Sequence, residues 1–434
     1  SATADSALAF ASVAWSWLAV SLAGSLPFLL TGVIPWGQFD NALFESISGF
    51  TCSGSTILVN FDAVPQGVLF YRSLTQWLGG MGLVVLAVAV LPALGIGGLD
   101  LIASEAPGPT ADRLTLRVRD TARQLWLLYG AMTGALTLVL LTIGMSAFDA
   151  VTHAFTTIST GGFSPHAESI AYFDSFTIEL ILMVGMLLSG ASFSIHWHAL
   201  RQGIGAYRRV SEVRWYLSLV FGAFGMLVWV NLGELGWLQN LRESLFYAVS
   251  LGSNTGFGNS DFVLWMPAAH LLLLVLMLVG GMSGSTAGGM KVLRLQVVFK
   301  YSFRELMRAR HPNSVIPIRL GRTTIEEQIA AKVVGFVLLY LGLILAGGVI
   351  LSGLGVDLVT AFSGSASALG NVGPALGEAG PTSNFLVFPR AGRIVLMAMM
   401  ALGRLELFPA MLMLVASLRG LDRSRLRRDR ERSQ

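Results

Sequence analysis

The sequence predicts an all-α polytopic membrane protein, with four tandem helix–pore-loop–helix repeats arranged in pseudo-four-fold symmetry around one pore. Three observations lead there: a composition too apolar for water, apolar stretches that arrive in pairs, and a short Gly/Ser/Thr string between the members of each pair. Of the 434 residues, 54% are hydrophobic and only 12% charged, and the mean hydropathy is +0.67. A soluble domain carries about 25% charged residues, so most of this surface must face lipid. The 49 glycines suit close helix packing and irregular backbone inside a membrane protein.

Stretches of roughly 20 apolar residues, enough to cross a bilayer, fall near 8–30, 70–95, 124–144, 178–199, 214–231, 268–300, 330–352 and 391–418. The first has no basic segment before it and no small-residue cleavage site after it, and so reads as a span instead of a signal peptide. Within each pair lies a shorter segment with a common grammar. An acidic residue or Asn opens a helical turn, an amphipathic run follows, and a small-residue string ends it. The strings are F-T-C-S-G-S-T (50–56), T-I-S-T-G-G-F (157–163), G-S-N-T-G-F-G (252–258) and L-G-N-V-G-P-A (369–375). With Gly54, Gly161, Gly256 and Gly373 in one column, the unit recurs roughly every 100 residues. The expected repeats are 1–104, 105–210, 211–322 and 323–434. Each second span is also expected to carry a small-residue break at a matching distance: L-G-G-M-G (78–82), S-G-A-S (189–192), G-G-M-S-G-S (280–285) and G-R-L-E (403–406).

Charge sets the orientation. The loops 31–71, 144–179, 231–268 and 352–390 are rich in Asp and Glu, against only Arg242 and Arg390, while the intervening loops and the tail collect Arg and Lys. The positive-inside rule places those basic loops and the C-terminus in the cytoplasm, which predicts a multi-pass protein of the cell inner (plasma) membrane. The basic tail, Arg419 to Arg432, reads as topology and contact with anionic membrane lipid; no nucleic-acid partner is expected. The single cysteine, Cys52, rules out an intrachain disulfide.

Non-helical backbone at membrane depth survives only where it is buried in protein or lines water, because each unpaired amide or carbonyl costs several kcal/mol in lipid. Four strings meeting around an axis can offer carbonyl oxygens in place of a cation's hydration shell. The expected filter is Cys52, Ser53 and Gly54; Ser159, Thr160 and Gly161; Asn254, Thr255 and Gly256; and Asn371, Val372 and Gly373. Below it, Gly280, Gly281, Gly284, Gly288 and Gly289 with Ser283, Ser285 and Thr286 are too rich in helix-breaking residues to stay helical. Residues 280–290 are therefore expected to form an intramembrane loop beneath the filter, the alternative being a packing kink against a neighbouring helix. Arg404, near the middle of the last span, is a functional candidate by position: a positive charge below a cation filter raises the barrier to permeation. The alternative is a structural ion pair, whose partner must lie on another helix because Glu406, two residues away, faces elsewhere. Lys291 reads as a cytoplasmic boundary charge.

The motifs F-E-S-I-S-G-F-T-C-S-G-S-T (44–56), R-S-L-T-Q-W-L-G-G-M-G (72–82), F-T-T-I-S-T-G-G-F-S (155–164), G-G-M-S-G-S-T-A-G-G-M-K-V-L-R (280–294), H-P-N-S-V (311–315), G-N-V-G-P-A-L-G (370–377) and G-R-L-E-L-F (403–408) give the chain a family likeness over nearly its whole length. It resembles the TrkH type within the Trk/Ktr/HKT superfamily of potassium transporters. The resemblance implies a single-chain pore conducting K+, a gate at 280–290, a homodimer, and a cytoplasmic ring of TrkA-like nucleotide-binding subunits. The extra hairpin that usually precedes the first repeat is not in this sequence, and Cys52–Ser53 stand where Thr–Thr is common. In plant members a serine at the first filter glycine accompanies sodium preference, so Gly54 favours potassium.

Other functions fit less well. A potassium symporter coupled to protons or sodium is the main alternative, although Glu406 is the only mid-span carboxylate that the sequence suggests. An enzyme lacks a nucleophile–base pair; His196 and His198 have no zinc-site spacing, and no nucleotide-binding motif stands in context. A non-transporting scaffold leaves four filter-like strings unexplained. The segment Lys300 to Arg322 is a candidate docking surface for a regulatory partner.

Overall fold

The computed structural model describes residues 2–89, 111–311, 314, 316–321 and 323–405, with side chains described from 15 to 82 and from 120 onward, Thr323 excepted. A long helix, a buried helix of 12 to 16 residues and a further apolar helix follow one another in four groups. The first group is α1 (Ala2–Leu30), α2 (Phe39–Phe50) and α3 (Gln66–Ala89). The second is α4 (Ala111–Thr142), α5 (Ala147–Ile158) and α6 (Phe176–Ser189), which continues into α7 (Phe193–Gln202) and a short α8 (Gly205–Arg209). The third is α9 (Ser211–Val230), α10 (Trp237–Gly252), α11 (Pro267–Val279) and α12 (Val292–Arg310). The fourth is α13 (Glu327–Gly353), α14 (Leu358–Gly370) and α15 (Arg390–Arg404).

Asp120–Thr142, Ser211–Val230 and Glu327–Gly353 are long and apolar enough to cross a membrane. Two expected spans are not continuous. The stretch 178–199 breaks after Ser189 and turns by 96° into α7, and 268–300 is helical only to Val279 before an irregular passage to α12. In both, Gly with Ser or Thr removes the propensity that would carry the helix on. The small-residue stretch 78–82 behaves differently: α3 runs through it unbroken. A two-stranded antiparallel hairpin, β1 (Ile318–Leu320) and β2 (Thr323–Ile325), adds the only strands among the described residues. The ends of the expected spans 70–95 and 391–418, Glu406 and the basic tail lie outside the described residues.

The short helices are the hub. Each packs within its own group and also against the helix that follows the buried helix of the group before it: α5 against α3, α10 against α6, α14 against α11, and α2 against α15. The last of these contacts joins the end of the chain to its beginning and closes a ring. Local chemistry starts the short helices where needed. Ser146 caps α5 by accepting from the Asp149 amide at 3.0 Å, and Asp357 caps α14 by accepting from Val359 and Thr360.

Glycines let the second helices reach the inner ends of the short ones. A Cβ on Gly79 would lie 2.0 Å from the Phe50 carbonyl oxygen, and one on Gly403 would lie 2.0 Å from that of Leu369. This close approach, more than any break, is the shared function of the small-residue stretches in the second spans.

Candidate functional site

All four short helices end in one way. The residues Cys52, Thr160, Asn254 and Asn371 take left-handed backbone, with φ of 52°, 52°, 57° and 53°. Each donates its N–H three residues back, to Gly49, Thr157, Leu251 and Ala368. The next residue (Ser53, Gly161, Thr255 or Val372) donates five residues back, to Ser48, Thr156, Ser250 and Ser367. This paired bonding is the Schellman termination, and it directs the following residues away from the helix axis. Asn tolerates a left-handed site, whereas a β-branched Thr is rarely found there, so strain at Thr160 is sustained by its surroundings.

Two residues beyond each left-handed residue is a glycine of positive φ: Gly54 (79°), Gly162 (75°), Gly256 (81°) and Gly373 (109°). Each lies against the carbonyl of the string that follows around the ring. A Cβ on Gly54 would sit 2.4 Å from Gly161 O, on Gly162 2.0 Å from Thr255 O, on Gly256 1.8 Å from Val372 O, and on Gly373 3.0 Å from Ser53 O. The cycle 54–161, 162–255, 256–372, 373–53 returns to its start. Four chain segments thus surround one axis, with equivalent carbonyls at Ser53, Gly161, Thr255 and Val372.

That register corrects the second string. Gly162, not Gly161, occupies the glycine column with Gly54, Gly256 and Gly373, and the matching triplet is Thr160–Gly161–Gly162. Ser159 falls one place early, aligned with Thr51, Ser253 and Gly370. Two adjacent glycines left the column undetermined in sequence; the helix-end hydrogen bonds fix it. The other three triplets, Cys52–Ser53–Gly54, Asn254–Thr255–Gly256 and Asn371–Val372–Gly373, lie together in the ring at the expected positions.

Side chains behind the strings hold them. Ser48 donates to Ser55 O at 2.6 Å, Ser250 to Phe257 O at 2.8 Å and Ser367 to Gly373 O at 3.0 Å. These serines occupy one column with Thr156, six residues before the positive-φ glycine. The column is visible in the sequence once the register is known, but sequence reasoning missed it. Glu45 and Arg72 are a second omission. The buried Glu45 carboxylate accepts from Arg72 Nε at 2.5 Å and from the Ile57 amide at 3.0 Å. Arg72 donates to Ser164 O at 2.9 Å and lies 3.4 Å from the centroid of the Phe163 ring. The pair staples the first string to the second.

On one side the ring opens into a vestibule lined by Gly54, Gly162, Gly256 and Gly373, with Arg72 and His166 on its wall. At this rim His166 Nε2 lies 2.8 Å from Asp149 Oδ1. Burial opposes ionisation of Asp149, but hydrogen bonds from His166 and Ser146 outweigh it and hold the carboxyl below its ordinary value.

On the opposite side the passage 280–291 lies directly under the strings. A Cβ on Gly288 would lie 2.0 Å from Gly370 O, and one on Gly280 would lie 3.1 Å from the Asn254 amide group. The passage folds back on itself: Met290, Lys291 and Val292 donate to Leu278, Val279 and Gly281. It is tied to the break after α6 by Met282 N to Gly190 O at 2.8 Å and Phe193 N to Gly284 O at 3.0 Å. These bonds pair part of its backbone inside the protein, where irregular backbone at membrane depth is tolerated. Ser285 is buried and donates to Met282 O, while Gly281 packs on Gly190 O. Ser283 N and Leu293 N both donate to Glu212 Oε1, at 2.7 and 3.1 Å, so one buried carboxylate of α9 holds both ends of the passage. Lys291 is not a boundary charge: it is 7% exposed and its ammonium donates to Ala287 O.

Arg404 is buried and joins three groups. Nη1 donates to Thr286 O at 2.9 Å, and Nη2 reaches Cys52 Sγ at 3.0 Å and Gly79 O at 3.2 Å. Thr286 Oγ1 in turn donates to Ile158 O at 3.0 Å. Among the described residues no carboxylate pairs with Arg404, so its charge is held by carbonyls and a thiol at the inner edge of the ring. His196 binds Tyr207 and Leu188 O, and no group of metal-ligating side chains occurs among the described residues.

Four backbone strings closed about one axis within apolar helices define a membrane protein of cation transport. The chain matches the family described as TrkH, cation transport protein, over residues 1–223 and 233–419, and it belongs to that family. It is 42% identical to the Trk system potassium uptake protein TrkH of Halomonas elongata over 397 residues, covering 90% of this chain and 82% of that protein. It is 38% identical to TrkH of Escherichia coli K12 over the same shares. The crystal structure of the potassium transporter TrkH from Vibrio parahaemolyticus superposes with a TM-score of 0.85 at 35% identity, covering 94% of this chain and 84% of that one.

Proposed function

We propose that this chain takes up potassium by selective conduction through the ring of strings, with K+ held by backbone carbonyls at 52–54, 160–162, 254–256 and 371–373. The observation that carries this reading is the cyclic apposition of each positive-φ glycine to the carbonyl of the next string. A ring of preset carbonyls replaces the hydration shell of a monovalent ion without a carboxylate. Access from the cytoplasmic side is controlled by the passage 280–290 and Arg404; the contacts of Arg404 with Thr286 and Cys52 support that role. The four repeats with boundaries near 104, 210 and 322, the homodimer, the cytoplasmic TrkA-like ring and an inner-membrane location with a cytoplasmic C-terminus belong to the same proposal. The basic residues of α12 and the β1–β2 hairpin support a cytoplasmic docking face.

The test is cation flux into liposomes holding the purified chain, comparing K+, Rb+, Na+ and Li+ without a proton gradient. Flux favouring K+ and Rb+ is expected. Flux that requires a proton or sodium gradient would favour the symporter, and no flux even with a TrkA-like ring added would overturn the pore.

A further inference from the structure

The ring is four-fold in its backbone but not in the way its strings are held. Three strings are braced by the serine of their own short helix, at Ser48, Ser250 and Ser367. The second is not. Its equivalent, Thr156, turns its hydroxyl back to Thr152 O at 3.1 Å within α5. The string left without that brace is also the one with two consecutive glycines, whose backbone has the most freedom to lose.

A side chain from another repeat fills the gap. Gln76, on α3, is completely buried. Its Nε2 donates to Gly161 O at 2.7 Å, and its Oε1 accepts from Phe163 N at 3.0 Å. Both ends of one amide thus grip the residues on either side of the filter glycine Gly162. The carbonyl it holds is the one that faces Gly54 in the ring. The fit also explains Gly161, whose Cβ would lie 2.3 Å from Gln76 Cδ and Oε1. Gly161 is thus a glycine to admit Gln76, and Gly162 is a glycine for its backbone.

We propose that Gln76 is a selectivity-determining positioning residue: it fixes the Gly161 carbonyl and thereby the spacing of the carbonyl ring on the side of the second string. The inference rests on the conduction reading. A merely structural residue, when replaced, lowers the amount of folded protein and reduces all ion fluxes together; one that positions a filter carbonyl changes their ratio. The experiment compares K+ and Na+ flux in liposomes for the wild type, Gln76→Leu and Gln76→Glu, each normalised to folded protein by size exclusion. Gln76→Leu keeps the bulk and loses both hydrogen bonds. Gln76→Glu keeps the acceptor for Phe163 N but sets a carboxylate oxygen against the Gly161 carbonyl. The K+/Na+ ratio is expected to fall about tenfold in Gln76→Leu, the size of effect that loss of one buried hydrogen bond produces, and also to fall in Gln76→Glu. Wild-type ratios in whichever variants fold would overturn the proposal. If neither folds, Gly161→Ala, which displaces the same amide, must lower the ratio or the proposal fails. A wild type that does not discriminate K+ from Na+ would instead overturn the conduction reading itself.

Discussion

Single atoms decide most of what the ring can do. Gly162→Ala would drive a methyl into the Thr255 carbonyl oxygen and require φ near 75°, so K+ flux in liposomes should be abolished. Gly161→Ala meets only a side-chain amide, and measurable flux with reduced selectivity should survive. Equal loss in both would refute the revised register. Arg404 is the other decisive residue. A cation about 5 Å from its guanidinium, at an effective dielectric of about 20, is repelled by about 3 kcal/mol. Basal K+ flux should therefore rise by about two orders of magnitude in Arg404→Ala, and unchanged flux would remove Arg404 from the gate. The sequence disclosed these positions unevenly. Glycine strings and an arginine in an apolar stretch are local signals, readable one residue at a time. That Arg404 meets Cys52, or that Gln76 reaches Gly161, depends on helices crossing far apart in the chain, and no local pattern encodes it.

The passage between α11 and α12 behaves as one element because its ends are tied together. Glu212 accepts from Ser283 and Leu293 at once. Removing it in Glu212→Ala strands two buried donors, each worth about 1–3 kcal/mol. Amide hydrogen exchange over 283–293 should then accelerate while exchange in α10 and α14 stays slow, and basal flux should rise. Protection unchanged in 283–293 would show that the backbone bonds at 290–292 suffice. The glycine content foretold the irregular backbone of this element. The small residues Ser189–Ser192 likewise foretold the matching break after α6, although not the 96° turn that follows it. That break is enforced by tertiary contact: Gly190 lies beneath Tyr216 and Ser253 and receives the Met282 amide.

At the scale of the molecule, part of the acid-rich set of loops is paired with arginines. Asp40 meets Arg390 and Arg393, Glu45 meets Arg72, and Glu179 and Asp174 meet Arg242. Asp62, Glu168, Glu234, Asp261, Asp357 and Glu378 make no ion pair among the described residues and remain to attract cations, so the uptake rate should fall as ionic strength rises from 50 to 300 mM, as stopped-flow flux would reveal. Asp149 adds a pH limit. A carboxyl held below its ordinary value contributes stability above about pH 4 and loses it as the pH falls through the lower folded value. The difference in melting temperature between wild type and Asp149→Asn should hold constant from pH 7 to about pH 4 and close below that. Closure at higher pH would show that the His166 contact does not govern ionisation.

The contact of α2 with α15 has a consequence for how such a pore can be tuned. In a ring assembled from identical subunits, one codon change strikes every quadrant at once, and dilution can dissolve the whole. Here a codon change alters a single quadrant, and covalent linkage keeps the quadrants together at any concentration. Each quadrant can therefore drift, specialise or take on a regulatory contact while three others keep the ring in place.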